Sequence, residues 1–127
     1  MILIVTANRI LGECIERACK KHKTKVLGDV FEAVEQIDDL HPDLIFLDLL
    51  LTGPDGFTFL NEIASYPETS EIPVVAISDL DLSQYDLSIY NIVEKLQKDT
   101  MTPEMIKGIV RKYAENDAES LKTLRKP

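Results

Sequence analysis

Asp48 stands where a carboxylate is costly. Residues 44–51 read Leu-Ile-Phe-Leu-Asp-Leu-Leu-Leu, so a single acid interrupts an apolar run. An ionised side chain buried there without a partner would be expensive. Two readings of it stand side by side. It caps backbone N–H groups at the end of a strand, or it is an exposed nucleophile or metal ligand in a crevice. Lys95, at the end of another apolar stretch, is a candidate partner charge. Lys98 is the alternative, three residues on. Ser78 would lie between the carboxylate and the ammonium.

These side chains need a frame to bring them together. Apolar runs at 2–5, 25–27, 44–47, 73–77 and 89–93 have the near-continuous character of parallel strands covered on both faces. Helical spacing separates them. Ile10, Leu11, Cys14, Ile15, Ala18 and Cys19 form one stripe, with charged residues opposite. Asp29 with Glu32 three residues later reads as a capping box, and His41-Pro42 stops the helix it starts. Asp55-Gly56 opens a third helix that Tyr66-Pro67 ends. Thr102-Pro103 opens the last, lined by Met105, Ile106, Ile109, Val110 and Tyr113. A short helix is expected within 79–90.

Alternation of this kind predicts a doubly wound α/β sandwich. Working residues in such folds sit at the carboxyl ends of the strands. Those ends carry Thr6-Ala7-Asn8, Asp29, Asp48, Ser78 and Lys95. Residues 1–115 are expected to form the domain, and 116–127 a helical extension or tail.

Composition narrows the classes. The chain has 127 residues with 14 basic and 22 acidic side chains, a net charge of 14 − 22 = −8. That length fits one domain. The acidity argues against nucleic acid, which is held by clustered Lys and Arg. The apolar runs are too short to cross a membrane. Two cysteines, Cys14 and Cys19, make no disulfide framework and read as core fillers in a cytoplasmic protein.

Two stretches then give a family likeness. Pro42-Asp43-Leu44-Ile45-Phe46-Leu47-Asp48, running on through Leu49-Leu50-Leu51-Thr52-Gly53-Pro54-Asp55-Gly56-Phe57, resembles the phosphoacceptor strand and loop of bacterial response regulator receiver domains. Ile72-Pro73-Val74-Val75-Ala76-Ile77-Ser78 resembles their fourth strand with its switch hydroxyl. The resemblance implies a flavodoxin-like (βα)5 three-layer sandwich with a five-stranded parallel sheet in the order 2-1-3-4-5. It implies two-component signalling, with a histidine kinase passing a phosphoryl group to Asp48. Mg²⁺ would be held by Asp48, by first-loop carboxylates and by the backbone carbonyl of Leu50. Ser78 and Lys95 would bind phosphoryl oxygens. Partners would be a histidine kinase or a downstream effector. A homodimer would form through the helix after the fourth strand, the fifth strand and the fifth helix, where Leu80, Leu82, Leu87, Met101 and Met105 lie.

The pattern breaks in the first loop. The family's acidic pair falls on Thr6 and Ala7. A methyl cannot ligate a metal and a neutral hydroxyl is a poor substitute for a carboxylate, so Mg²⁺ is expected to bind weakly. Asp79 and Asp81 are the available replacement carboxylates. Without the acidic pair, a lysine can pair with Asp48 directly, which favours both charged forms. The family's switch aromatic falls on Ile92, with Tyr90 nearby, and Leu96 replaces the usual proline after the lysine. The resulting expectation is a receiver that transmits through its surface with phosphorylation impaired.

Other readings have less support. A flavodoxin needs a Ser/Thr/Gly-rich phosphate loop, but 6–9 read Thr-Ala-Asn-Arg. A cobalamin carrier needs an Asp-x-His-x-x-Gly loop. A phosphohydrolase needs a second Asp two residues past the first, where Leu50 stands. No enzyme activity is therefore expected. His22 and His41 lack neighbours at metal spacing, and Lys20-Lys21-His22-Lys23 reads as a solvated helix end.

Overall fold

A computed structural model of the chain describes residues 1–49, 55–79, 81–84 and 86–115. The expected extension at 116–127, the carbonyl of Leu50 and the side chain of Leu80 lie outside the described residues.

Five strands form one parallel sheet: β1 (Ile2–Val5), β2 (Thr24–Leu27), β3 (Leu44–Asp48), β4 (Val74–Ser78) and β5 (Ile92–Gln97). Their order is β2-β1-β3-β4-β5. This is the doubly wound sandwich that the alternation predicts, in the flavodoxin-like order that the family resemblance implies. The central strands β1, β3 and β4 are buried along their whole length, because helices cover both faces.

One face carries Leu3, Val5, Ile45, Leu47, Val74 and Ala76. It packs against α2 (Val30–Leu40) and α3 (Asp55–Ala64) through Ala33, Ile37, Phe59 and Ile63. The other carries Ile2, Ile4, Leu44, Phe46, Val75 and Ile77. There α1 (Arg9–Ala18) and α5 (Pro103–Val110) cover it with Ile15, Ile106, Ile109 and Val110. A one-turn helix, α4 (Pro67–Ser70), precedes β4.

Local signals set the helix ends. Asn8 Oδ1 accepts from Leu11 N at 3.1 Å and caps α1. Asp29 Oδ1 accepts from Phe31 N at 2.8 Å and caps α2, so this strand-end carboxylate is a cap rather than part of a site. Thr102 Oγ1 caps α5 by accepting from Met105 N at 3.2 Å. Gly56 lets the start of α3 press onto the residue that follows β3. A Cβ there would stand 2.6 Å from both Leu49 Cα and its carbonyl oxygen.

The stretch between β4 and β5 departs from expectation. The expected short helix is reduced, among the described residues, to one 3-10 turn at Leu82–Gln84 followed by further turns. Asp81 Oδ1 accepts from Ser83 N at 2.9 Å, and Asp86 Oδ1 from Ser88 N at 3.1 Å. Such local bonds compete with helix formation. Leu82 and Leu87 are buried in the sheet face instead of lining an exposed helix.

β5 also begins later than its apolar residues suggest. It runs from Ile92 to Gln97, with an irregularity in pairing between Val74 and Val75. Only Leu96 is fully inward, as suits an edge strand. The apolar run at 89–93 therefore marks the approach to the strand, with Ile89 exposed.

Candidate functional site

Asp48 ends β3, between the ends of β1 and β4. Its side chain is 2% exposed. The Thr6 hydroxyl, one residue past β1, donates to Asp48 Oδ2 at 3.0 Å. The Asn8 N–H in turn donates to Thr6 Oγ1 at 3.1 Å, orienting the hydroxyl proton towards the carboxylate. The methyl branch of Thr6 faces α1, with Cγ2 at 3.3 Å from where a Cβ on Gly12 would stand. A β-branched side chain has little rotamer freedom. With its methyl against the helix, its hydroxyl is held on Asp48.

The ammonium at the site belongs to Lys98. Its Nζ lies 3.1 Å from Asp48 Oδ2 and 3.9 Å from Asp79 Oδ2. Lys98 is 22% exposed and Asp79 63%. Immediately after β5, the Lys98 N–H donates to the Ser78 carbonyl at 3.0 Å. Ser78 is buried at the end of β4, opposite Gln97.

Lys95, the first choice from sequence, is corrected here. It lies within β5 opposite Ala76 and is exposed. It lines a shallow cavity of about 240 Å³ with Asp81, Leu82 and Ser83. Ser83 holds the Asp81 carboxyl below its ordinary range, chiefly through its N–H, and the Lys95 charge adds a smaller effect. The Asp86 carboxyl is lowered mainly by Ser88, again with help from Lys95. The reason for the correction is the strand boundary. Reading β5 from 89 makes Lys95 its terminus, whereas the strand running to Gln97 moves the terminus to Lys98. Lys98 also adds three residues to the Ser78-to-lysine link, which is about a turn too short when measured to Lys95.

Moving the lysine moves the other family positions. Three residues before Lys98 stands Lys95, where the aromatic was sought at Ile92. Tyr90 is tied down elsewhere, its hydroxyl donating to Asn61 Oδ1 on α3 at 2.5 Å. Ala7 is exposed beside the site. Asp81 sits with Lys95 rather than with Asp48. Elsewhere, His22 Nε2 is 2.9 Å from Glu115 Oε1.

A family model for the response regulator receiver domain matches residues 2–109. The chain belongs to the response regulator receiver domain family. Among curated relatives, this receiver is 48% identical over 87 residues to the response regulator PleD of Caulobacter vibrioides, covering 61% of this chain and 19% of PleD. It is 26% identical over 82 residues to PilG of Pseudomonas aeruginosa, covering 63% of this chain and 61% of PilG. It thus spans less than two thirds of either relative. The receiver domain of NtrX from Brucella abortus superposes with a TM-score of 0.77 at 25% identity, over 91% of this chain and 98% of that one. The phosphorylated cyanobacterial phytochrome response regulator RcpA gives 0.74 at 26% identity, over 91% and 94%. Receiver domains of this family act in two-component signalling, and the likeness in fold runs through nearly all of the described residues.

Proposed function

We propose that this receiver is a cytoplasmic protein-interaction module whose phosphoacceptor pocket is closed from within, so that phosphorylation is impaired. The observation that carries the reading is the pair of donors on one carboxylate oxygen: the Thr6 hydroxyl at 3.0 Å and the Lys98 ammonium at 3.1 Å from Asp48 Oδ2.

Mg²⁺ fits this pocket poorly. It prefers near-ideal octahedral oxygen coordination and sheds water reluctantly. The first loop offers a hydroxyl already engaged as a donor and, at Ala7, a methyl. An ammonium lies where a second cation would be repelled. Asp79 faces the same ammonium, so displacing Lys98 would leave two carboxylates to attract it back. Phosphoryl transfer depends on positioning and on neutralising charge at the transferred group. Lys98 supplies one positive charge and Thr6 none.

In this reading Asp48, Thr6, Ser78 and Lys98 form a structural knot that joins the ends of β1, β3, β4 and β5. The partner, a histidine kinase or an effector, recognises the folded surface, and the domain has no catalytic activity of its own. The test is titration of the full chain with beryllofluoride or acetyl phosphate at increasing Mg²⁺, read by amide NMR shifts around Asp48. The expected result is no saturation at millimolar Mg²⁺. Saturable changes at Asp48 under those conditions would overturn the reading and restore a Mg²⁺-dependent phospho-receiver.

A further inference from the structure

The opposite end of the molecule carries a groove that the Asp48 pocket does not explain. Two prolines create it. His41-Pro42 ends α2, with His41 forced to a left-handed φ of 47°, and Tyr66-Pro67 separates α3 from α4. Both helices stop, and a gap remains above the start of β3 and β4. The gap is a cavity of about 510 Å³ that includes Ile37, His41, Pro42, Tyr66 and Ile72. It adjoins a second of about 220 Å³, reaching Val34, Glu62 and Ile63 between α2 and α3. Ile37, Asp38, Tyr66 and Thr69 line both.

The floor is apolar in effect. Thr69 is buried, and its hydroxyl already donates to the Ile63 carbonyl at 2.6 Å. Ile37 and Ile63 are buried beneath, while Tyr66 is 53% exposed at the edge. The rim is acidic. Asp38, Glu62 and Glu68 line it, and none forms an ion pair among the described residues. Among the described residues, no Lys or Arg lines either cavity. A polar metabolite would find few partners on such a floor. An apolar anchor flanked by cations would bury against it and meet complementary charge.

We infer that this groove docks a cationic amphipathic helix of a partner protein, with apolar side chains on the Ile37–Ile63 floor and Lys or Arg on the Asp38–Glu62–Glu68 rim. The surface is independent of Asp48 and would work whichever way the phosphoacceptor pocket behaves. A second copy of this chain is disfavoured as the occupant. Its cations Lys20, Lys21, Lys107 and Arg111, none in an ion pair among the described residues, sit together by the ends of α1 and α5, on the other side of the sheet. Docking that end into the groove would be head-to-tail, joining two different surfaces rather than making the self-complementary pair of a two-fold dimer.

The test uses the full chain and a synthetic helical peptide with leucines at i, i+3, i+4 and i+7 and lysines or arginines elsewhere. A charge-reversed peptide with glutamates is the control. Amide NMR should show saturable shifts at Ile37, His41, Tyr66 and Ile72 with the cationic peptide alone. The variant carrying Glu62→Lys and Glu68→Lys, both at half-exposed or exposed sites, should weaken binding by about tenfold or more. Tyr66→Ala should weaken it without altering the fold. No saturation at millimolar peptide, saturation at another surface, or equal binding by the charge-reversed variant would overturn the inference. So would groove shifts that depend on protein concentration alone, which identify a second copy. Groove shifts that follow substitution of Leu121, Lys122, Leu124 and Arg125 without any peptide would also overturn it, because the occupant would then be the chain's own segment.

Discussion

Replacing Lys98 with methionine isolates the ion pair at the centre of the site. The Nζ–Oδ2 separation is 3.1 Å. At an effective dielectric of about 20, that distance corresponds to an attraction of about 5 kcal/mol. The net worth is smaller, because Lys98 is 22% exposed and partly screened by water. Asp48, at 2% exposure, cannot recover its hydration when the lysine is lost. Breaking a fully buried pair costs about 3–5 kcal/mol, and an exposed pair contributes about 1 kcal/mol or less. Lys98→Met should therefore cost about 2–4 kcal/mol, lowering the melting temperature by about 10 °C for a domain of this size. Lys95→Met, on an exposed side chain, should change stability by less than about 0.5 kcal/mol. Adding Asp48→Asn to Lys98→Met should recover most of the loss, because a neutral amide then replaces the buried charge that Lys98 balanced. Urea denaturation followed by far-ultraviolet circular dichroism measures all of these. A Lys98→Met cost below about 0.5 kcal/mol, an equal cost for Lys95→Met, or no coupling in the double-mutant cycle would refute the assignment.

Three further outcomes are expected. Thr6→Asp combined with Ala7→Asp should destabilise the metal-free chain by about 1–2 kcal/mol through lost hydrogen bonding and repulsion with Asp48. Millimolar Mg²⁺ should restore that variant in thermal scans while leaving the native chain unchanged; an equal rise in the native chain would count against the closed pocket. Gly56→Ala should cost about 3 kcal/mol, because the new Cβ would stand 2.6 Å from Leu49 backbone atoms that cannot move aside cheaply; a urea midpoint matching the native one would refute the close approach. Burial pushes the Cys19 thiol from its ordinary 9.0 up to about 11. Because the folded value is the higher one, the associated stability is intact below pH 9.0 and is lost as pH rises through about 11. Cys19→Ala should flatten that alkaline decline in urea titrations between those limits, and an unchanged slope would exclude Cys19 as its source.

Much of the frame was legible without coordinates. The runs in β1, β3 and β4 are apolar on both faces, a pattern that only a sheet sandwiched between helices tolerates. Asp29, Thr102 and the proline stops mark helix ends through short-range chemistry, which sequence carries directly. Asp48 stood out because a lone carboxylate in an apolar run demands a partner. Within 79–90 the expected short helix shrinks, among the described residues, to the 3-10 turn at Leu82–Gln84, in a stretch whose sequence carries no clear helix start or stop. The Asp81 and Asp86 turns, bonded to Ser83 and Ser88, prevail there.

By itself, then, the sequence determined the layered fold, the family and the identity of the central carboxylate, because these follow from periodicity and local motifs. Tertiary structure decided which cation meets that carboxylate. Lys95 and Lys98 are three residues apart on an edge strand whose apolar pattern is too weak to mark its end. Only the pairing of β5 with β4 sets where the strand stops, and with it which lysine lies over Asp48. Tertiary structure also gave Thr6 its role. A threonine after a strand is unremarkable until the approach of α1 at Gly12 holds its methyl and its hydroxyl falls on Asp48.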